Sequence, residues 1–181
     1  MRLFAALPLP GPVADHLAAA LVTVRDNSGP LVRFSPRENW HITLSFYGEQ
    51  PEGAVEDLVA HLARAASIPA PVLELAGAGA FQHRHLYVGV HGGTALEGLM
   101  SAAALGEPES PHRPHVTIAK TRNRDRFGEA KLVAGDIISA LAVYRGPAWQ
   151  PDAVTLFLSE LGKGRSGHPL YTPLETIPFA W

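Results

Sequence analysis

Two short apolar segments of the sequence each begin with a histidine and carry a threonine two positions later. They are HITLSFYGE at residues 41–49 and HVTI at residues 115–118. Because side chains alternate between the two faces of a β-strand, each segment would present its histidine and threonine together. Two imidazoles can divide the proton transfers of a phosphodiester displacement, one acting on water and the other on the departing oxygen. The threonine hydroxyls can hold phosphate oxygens while negative charge grows in the transition state.

The candidate catalytic residues of this interpretation are His41 and His115, with Thr43 and Thr117 as phosphate ligands. A polar row facing solvent would also explain either strand taken alone. Two copies, both opening apolar strands, favour one shared phosphodiesterase site that needs no metal. The residue types leave open which histidine is the acid, because the roles exchange when the reaction runs in reverse.

Strict alternation along the first strand also assigns its other side chains to faces. It places Ser45 and Tyr47 on the histidine face, where Tyr47 is a candidate to stack on a nucleobase. It places Phe46, which could also stack on a terminal base, on the opposite face with Ile42 and Leu44, and this favours a core position for Phe46.

Hydrophobic periodicity and turn residues predict interleaved strands and helices. The strands are expected at 2–7, 31–34, 40–47, 71–76, 85–90, 115–120, 153–161 and 169–176, and the helices at 12–25, 51–66, 94–105 and 126–141. A Gly-rich connection is expected between the fourth and fifth strands. Several neighbouring strands have short connections that suit antiparallel pairing, so the prediction is an α+β fold.

Length and composition are typical of one soluble globular domain spanning residues 1–181. The formal net charge of −2 argues against a polybasic nucleic-acid scaffold, so any nucleic acid would be held locally. The absence of cysteine excludes disulfides, thiol catalysis and cysteine-ligated metals. No apolar run is long enough to span a membrane, and Pro8 and Pro10 interrupt the N-terminal segment too early for a signal peptide, so a cytoplasmic location is expected.

The chain resembles the two-histidine (2H) phosphoesterase superfamily, and within it the bacterial RNA 2′,3′-cyclic phosphodiesterases, historically called 2′-5′ RNA ligases (ThpR/LigT-like). Four segments that occur in the family's order carry the resemblance: MRLFAAL, ENWHITLSFYGE, RPHVTIAK and SELGKG…PLYTPL. Together they span nearly the whole chain. The resemblance implies two pseudo-symmetric lobes, each an antiparallel sheet backed by helices, with the two His-x-Thr strands lining a central cleft.

The resemblance also implies roles for individual residues. His41 matches the family's general acid for the O3′ leaving group, and His115 matches the general base for water. Thr43 and Thr117 match the phosphate-holding threonines. The implied substrate is an RNA end or oligonucleotide with a 2′,3′-cyclic phosphate, opened to a 2′-phosphate. We expect the protein to act as a monomer without cofactor or metal.

One position departs from the family pattern, since many relatives carry arginine where this chain has Lys120. Lysine keeps the charge and loses the bidentate fork, so phosphate contact there is expected to be weaker. Simple alternation puts Lys120 on the face opposite His115, so the strand must twist or end before it to allow contact. Nearby cations are candidates to steer the RNA backbone, with a solvated charged loop as the alternative: Arg122, Arg124, Arg126 and, in the turn GKGRSG, Arg165.

Four alternatives remain open from the sequence. Within enzymes, the chain would be a 2′-5′ RNA ligase or nuclease, or a phosphodiesterase for a nucleotide-sized cyclic phosphate. In another class, it would be an RNA- or nucleotide-binding module without catalysis, against which both intact His-x-Thr pairs count. A zinc hydrolase would use the histidine pairs His83/His85 and His112/His115, but no carboxylate lies at a familiar ligand spacing.

Overall fold

The computed structural model describes residues 1–106, 113–122 and 128–180, and in these residues eight strands form one antiparallel sheet. The strands are β1 (Arg2–Pro8), β2 (Val32–Phe34), β3 (His41–Glu49), β4 (Glu74–Phe81), β5 (His85–His91), β6 (His115–Thr121), β7 (Ala153–Glu160) and β8 (Leu170–Pro178). The helices are α1 (Gly11–Asn27), α2 (Ala54–Ala65), α3 (Gly93–Ala103) and α4 (Glu129–Ala140). The α+β prediction is confirmed.

The sheet consists of two halves that meet between the two His-x-Thr strands. Its order is β4-β5-β6-β3-β1-β7-β8, and the short β2 pairs with the far part of β6. We call β3, β1, β7 and β8 the first half, and β2, β4, β5 and β6 the second half. In the described part of the chain, one partner pair, Ile42 with Val116, joins them. The two halves correspond to the expected lobes, and they lie side by side in one continuous sheet.

The helices contribute apolar side chains to the core. In α1, Pro12 lies at the start of the helix, where its missing N–H costs nothing. Val13, Leu17, Leu21 and Val24 are buried, as their helical spacing predicts. Ile42 and Val116 are also fully buried, so the joint between the halves is anchored in the same core. No helix in the described part of the chain is long and apolar enough to cross a membrane.

The main difference from the predicted elements lies before β5. The Gly-rich residues expected to form a connection belong to β4, which continues to Phe81. The turn that follows is short, with Arg84 N–H donating to the Phe81 carbonyl at 3.0 Å. Gln82 and His83 both have positive φ, as in the tight turns that match the twist of paired strands. The glycines of this segment therefore lie inside a strand, where they affect packing, and the turn is formed by other residues.

Candidate active site

The joint between the halves brings the two His-x-Thr pairs together. Because β3 and β6 run antiparallel and Ile42 pairs with Val116, His41 lies beside Thr117 and Thr43 lies beside His115. All four side chains belong to the sheet face opposite the buried Ile42 and Val116. The charge of His115 acts on His41, which also indicates that the two imidazoles are close. Each histidine thus has a threonine on its own strand and another on the facing strand.

Each imidazole is held by a hydrogen bond to the backbone carbonyl two residues before it. His41 Nδ1 lies 2.7 Å from the Asn39 carbonyl, and His115 Nδ1 lies 2.7 Å from the Arg113 carbonyl. A carbonyl can only accept, so Nδ1 carries the proton and donates it in both rings. The remaining nitrogen, Nε2, is therefore the one that can exchange a proton with a substrate. In His41, Nε2 lies 3.1 Å from Thr43 Oγ1, and in the neutral ring the threonine hydroxyl donates to it.

Aromatic rings surround His41 in the first half. Phe4 lies 5.0 Å from it between ring centroids, and Tyr171 lies 5.2 Å away and perpendicular to it. This burial lowers the pKa of His41 from its usual 6.5 to about 4, helped by the charge of His115 and opposed by the bond to Asn39. His41 is therefore neutral at pH 7 in the free protein.

Aromatic rings also surround His115 in the second half. Phe81 lies 4.9 Å from it in an edge-on arrangement, and Tyr87 lies 5.4 Å away. Gly79 makes room for the tyrosine, because a Cβ there would lie 2.5 Å from the Tyr87 hydroxyl oxygen. Tyr87 accepts a hydrogen bond of 3.4 Å from Arg113 Nη1. A glycine in the middle of β4 thus controls the packing around a site histidine.

Asn39 and Arg113, which sequence reasoning missed, have matching positions two residues before each histidine. The backbone carbonyl of each accepts a hydrogen bond from the imidazole, and the side chain of each donates to a residue in, or immediately before, a strand that carries a flanking tyrosine. Asn39 Nδ2 donates to the Pro169 carbonyl at 2.9 Å, just before Tyr171 on β8, and Arg113 donates to Tyr87 on β5. Their common spacing in NWH and RPH was the available signal.

A β-bulge follows the threonine in each strand. Leu44 is the extra residue in β3, between the pairs Thr43–Ala6 and Ser45–Ala5. In β6 the extra residue is Ile118, between the pairs that Thr117 and Ala119 make with β5. Since a bulge sends two successive side chains to one side, the side chains that follow it change face. In β3 a second register shift, at Tyr47, follows between the pairs Phe46–Phe4 and Gly48–Leu3.

The bulge in β6 corrects the expected position of Lys120. Lys120 lies opposite His85, and Thr117 lies opposite Tyr87, two residues away on an unbulged stretch of β5. Lys120 therefore shares the face of His115 and Thr117, and its side chain is exposed there. The expectation from simple alternation was wrong, and the strand need not end or twist sharply to bring Lys120 to the site.

Comparison with known proteins agrees with this architecture. A family model described as LigT like phosphoesterase matches residues 7–90. A curated relative from Thermus thermophilus, named RNA 2′,3′-cyclic phosphodiesterase, is 31% identical over 97% of this chain and 88% of its own. The chain belongs to the LigT-like phosphoesterase family of the 2H superfamily, and it is a phosphoesterase.

Two further comparisons support this membership over the full length of the chain. A curated protein of the same name from Methanothermobacter thermautotrophicus is 28% identical over 98% of both chains. The crystal structure of TT0787 from Thermus thermophilus has a TM-score of 0.73 and 28% identity, covering 99% of this chain and 98% of its own. The resemblance inferred from the four segments is confirmed.

The bulge in β3 corrects the expected faces of Phe46 and Tyr47 in this LigT-like chain. Phe46 is 51% exposed, stacks on Phe4, and has the Arg2 guanidinium 4.6 Å from its ring centroid. Tyr47 is buried, and its hydroxyl donates to the Ala103 carbonyl at 2.8 Å. The core position expected for Phe46 and the base-stacking position expected for Tyr47 were both wrong, as was the placement of Ser45 beside the histidine.

The expected cationic residues are only partly described. Arg122 is exposed directly after β6, and its backbone N–H donates to the Leu31 carbonyl at 2.8 Å. Arg165 is exposed in a turn whose next residue, Ser166, accepts a hydrogen bond from the Arg33 guanidinium. The prediction for Arg124 and Arg126 lies outside the described residues.

The histidines proposed as metal ligands do not form a cluster in the part of the chain that is described. His83 lies in the β4–β5 turn and His85 on β5. Within residues 1–106, 113–122 and 128–180, no group of three histidine, aspartate or glutamate side chains is arranged to hold a metal ion. His112 lies outside these ranges.

Proposed function

We propose that this LigT-like phosphoesterase opens 2′,3′-cyclic phosphates at RNA ends to 2′-phosphates, using two histidines and no metal. The observation that carries the proposal is the crossed pair of His-Thr dyads where Ile42 of β3 pairs with Val116 of β6. Two imidazoles of fixed tautomer beside two threonine hydroxyls suit one phosphodiester group. The two curated relatives named RNA 2′,3′-cyclic phosphodiesterase support the substrate.

In the proposed reaction, His115 Nε2 removes a proton from a water molecule as its oxygen attacks phosphorus. The bond from phosphorus to O3′ breaks, and O3′ takes a proton from His41 Nε2. The product is a 2′-phosphate with a free 3′-hydroxyl, and the two histidines have exchanged protonation states. Thr43 and Thr117 hold the non-bridging oxygens as they gain charge, and this kind of stabilisation is typically worth a few kcal/mol per donor.

The acid role requires His41 to gain a proton, since its pKa of about 4 leaves it neutral in the free protein. A phosphodiester anion about 4 Å from the ring would stabilise the imidazolium by about 4 kcal/mol at an effective dielectric of about 20. That energy corresponds to about three pKa units, which would return the pKa to near 7. We therefore propose that His41 takes up its proton with the substrate, and that Thr43 Oγ1 then accepts from Nε2–H or turns to the phosphate.

Two exposed side chains extend the site beyond the threonines. Phe46, backed by Phe4 and Arg2, offers a ring face on which the terminal base could stack. Lys120 occupies the corresponding place in the second half and offers a positive charge to phosphate.

The central experiment is hydrolysis of a short RNA with a 2′,3′-cyclic phosphate end, in EDTA, by the wild type, His41→Ala and His115→Ala. We expect the wild type alone to form a 2′-phosphate. A 3′-phosphate product would overturn the assignment of His41 to O3′ while keeping both histidines. No turnover by a folded wild type would refute the proposal, and metal-dependent turnover would favour the zinc alternative.

An aryl phosphodiester separates the acid from the base, because nitrophenolate departs without a proton. We expect His41→Ala to recover most of its lost activity on such a substrate, whereas His115→Ala stays impaired. Recovery by His115→Ala instead would exchange the two roles, which is the arrangement that the low pKa of His41 in the free protein would suggest. Comparing RNA with a mononucleotide substrate separates the oligonucleotide and nucleotide-sized alternatives.

A further inference from the structure

A side chain of the second half holds the turn between β7 and β8, which belongs to the first half. The turn spans residues 161–169, and its Ser166 carbonyl accepts a hydrogen bond from the Arg33 guanidinium. Arg33 itself is fixed by the pairing of β2 with β6. The contact therefore joins the two halves at a point outside the Ile42–Val116 pair.

The backbone of this turn is tightly closed around the residue that Arg33 holds. Ser166 has a positive φ of 54°, a conformation that a residue with a side chain keeps only where neighbouring contacts enforce it. Gly164 N–H donates to the His168 carbonyl at 2.7 Å, and a Cβ on Gly164 would lie 2.6 Å from the Pro169 carbonyl oxygen. A force on the turn at Ser166 is therefore transmitted to Pro169.

The closed turn leads directly into the ring that covers His41. The Pro169 carbonyl accepts a hydrogen bond of 2.9 Å from Asn39 Nδ2, and Tyr171 follows two residues later near the start of β8. The Tyr171 ring lies 5.2 Å from the His41 imidazole and perpendicular to it. A displacement of the turn would therefore move this ring and admit water to the imidazole.

The groups that face His41 make its proton affinity depend on this cover. Among the described residues, the titratable groups facing it are Tyr171 from β8 and His115 from β6. Phe4 on β1 and Phe157 on β7 contribute uncharged rings. Burial is the largest cause of the low pKa of His41, and the charge of His115 is a smaller one. Exclusion of water by the surrounding rings is therefore the main influence on its protonation.

We propose that Arg33 is a positioning residue for His41, because it holds the β7–β8 turn so that Tyr171 stays against the imidazole. This inference rests on the proposed function, in which His41 Nε2 exchanges a proton with the substrate. It adds a residue of the second half to the control of the histidine in the first half. Loss of the Arg33 contact loosens Tyr171, exposes His41 to water and misaligns the imidazole.

The first test is an NMR titration of the His41 imidazole in the free protein, with the signal assigned by comparison with His41→Gln. In Arg33→Gln we expect the pKa of His41 to rise from about 4 by roughly one pH unit or more, because less water is excluded. In Gly164→Ala the new methyl group displaces the Pro169 carbonyl and keeps every charge, so the same rise is expected. Thermal melting confirms that each variant is folded.

The matched control for the titration is Lys163→Gln. Lys163 is a cation of the same turn, and it is exposed and ion-paired with Glu160. Its replacement removes one positive charge and leaves the contact between Arg33 and Ser166 in place. The pKa of His41 should therefore stay at its wild-type value.

The second test is the pH profile of kcat/KM on an RNA 2′,3′-cyclic phosphate, which reports the essential groups of the free enzyme. In Arg33→Gln and Gly164→Ala the acid limb should move to higher pH together with the pKa of His41. We expect kcat to fall roughly 3- to 30-fold at similar KM, because the imidazole is less well oriented. Arg33→Lys keeps a donor for the Ser166 carbonyl and should recover part of both effects.

The variants separate the position of the turn from the charge of Arg33. An unchanged pKa and acid limb in folded Arg33→Gln would overturn the inference. A rise in Arg33→Gln that Gly164→Ala lacks would also overturn it, since the Arg33 charge would then act on the imidazole directly. The same separation is available in a Tyr171→Leu background, where Arg33→Gln should raise the pKa of His41 no further. Absence of activity in a folded wild type would refute the proposed function, whereas the titration would still decide the role of Arg33.

Discussion

Phe46 and Lys120 occupy equivalent positions in the two halves of the sheet. Each lies five residues after the histidine of a His-x-Thr pair, and a bulge one residue after the threonine turns each to the site face. The backbone pattern is the same, but one half presents an aromatic ring and the other an ammonium group. The repeated structure thus builds two different ends of one site, which suits a ligand with a base at one end and phosphates at the other.

Replacement of either site histidine should reduce turnover strongly. In His41→Ala and His115→Ala we expect a loss of at least roughly 100-fold in kcat, because each removes one proton-transfer group. Steady-state kinetics on an RNA 2′,3′-cyclic phosphate will measure it. His16→Ala is the control, since His16 lies on α1 and bonds to Tyr144 instead. Near-normal kcat in a folded His41→Ala or His115→Ala would remove that residue from the mechanism.

Replacement of either site threonine by valine should lower kcat more than it raises KM. Thr43→Val and Thr117→Val keep the β-branched shape and remove the hydroxyl that would hold a phosphate oxygen. Thr121→Val is the matched control in β6, because Thr121 is buried and its hydroxyl lies 3.4 Å from the His83 carbonyl. Kinetics of Thr117→Val that match those of Thr121→Val would reduce the site threonine to a strand former.

The partly buried imidazole of His41 should make the protein less stable at acid pH. Its pKa is lowered by folding, so the unfolded chain binds more protons between about pH 6.5 and pH 4. The contribution of neutral His41 to the free energy of unfolding is complete above about pH 6.5 and declines as the pH falls, by about 3 kcal/mol in total. Urea unfolding at pH 7.5 and pH 4.5 should show a smaller acid loss in His41→Gln than in the wild type. Equal losses would mean that His41 keeps an ordinary pKa in the folded protein.

The side chain of Asn39 should act on catalysis through the imidazole that its backbone holds. Asn39→Ala removes the bond to Pro169, at a net cost of about 1 kcal/mol in unfolding free energy. We expect kcat to fall several-fold at similar KM, because the strand carrying Tyr171 is no longer tied to the residue that orients His41. Asn27→Ala is the control, since it loses a comparable bond to the Thr23 carbonyl within α1. If both variants have the same kcat, Asn39 contributes to stability alone.

The lack of a side chain at Gly79 should be required for packing near His115. In Gly79→Ala the new methyl group would meet the Tyr87 hydroxyl at 2.5 Å, so the ring or the strand must move. We expect a loss of about 1–3 kcal/mol in unfolding free energy together with lower turnover. Gly98→Ala in α3 has open space around it and should instead raise stability by up to about 1 kcal/mol. Wild-type stability and kcat in Gly79→Ala would show that Tyr87 can move without consequence.

The sequence by itself determined the two His-x-Thr pairs, the family and most of the elements. These follow from local information, since the apolar residues of α1 recur at helical spacing and His41 and Thr43 share a face over a short regular stretch. Only the tertiary structure decided the positions of Phe46, Tyr47 and Lys120. Whether a strand contains a bulge depends on its pairing with its neighbour, and one extra residue reverses the faces of the side chains that follow it. The low pKa of His41 was likewise decided by tertiary packing, because Phe4 and Tyr171 come from strands that are distant from His41 in the sequence.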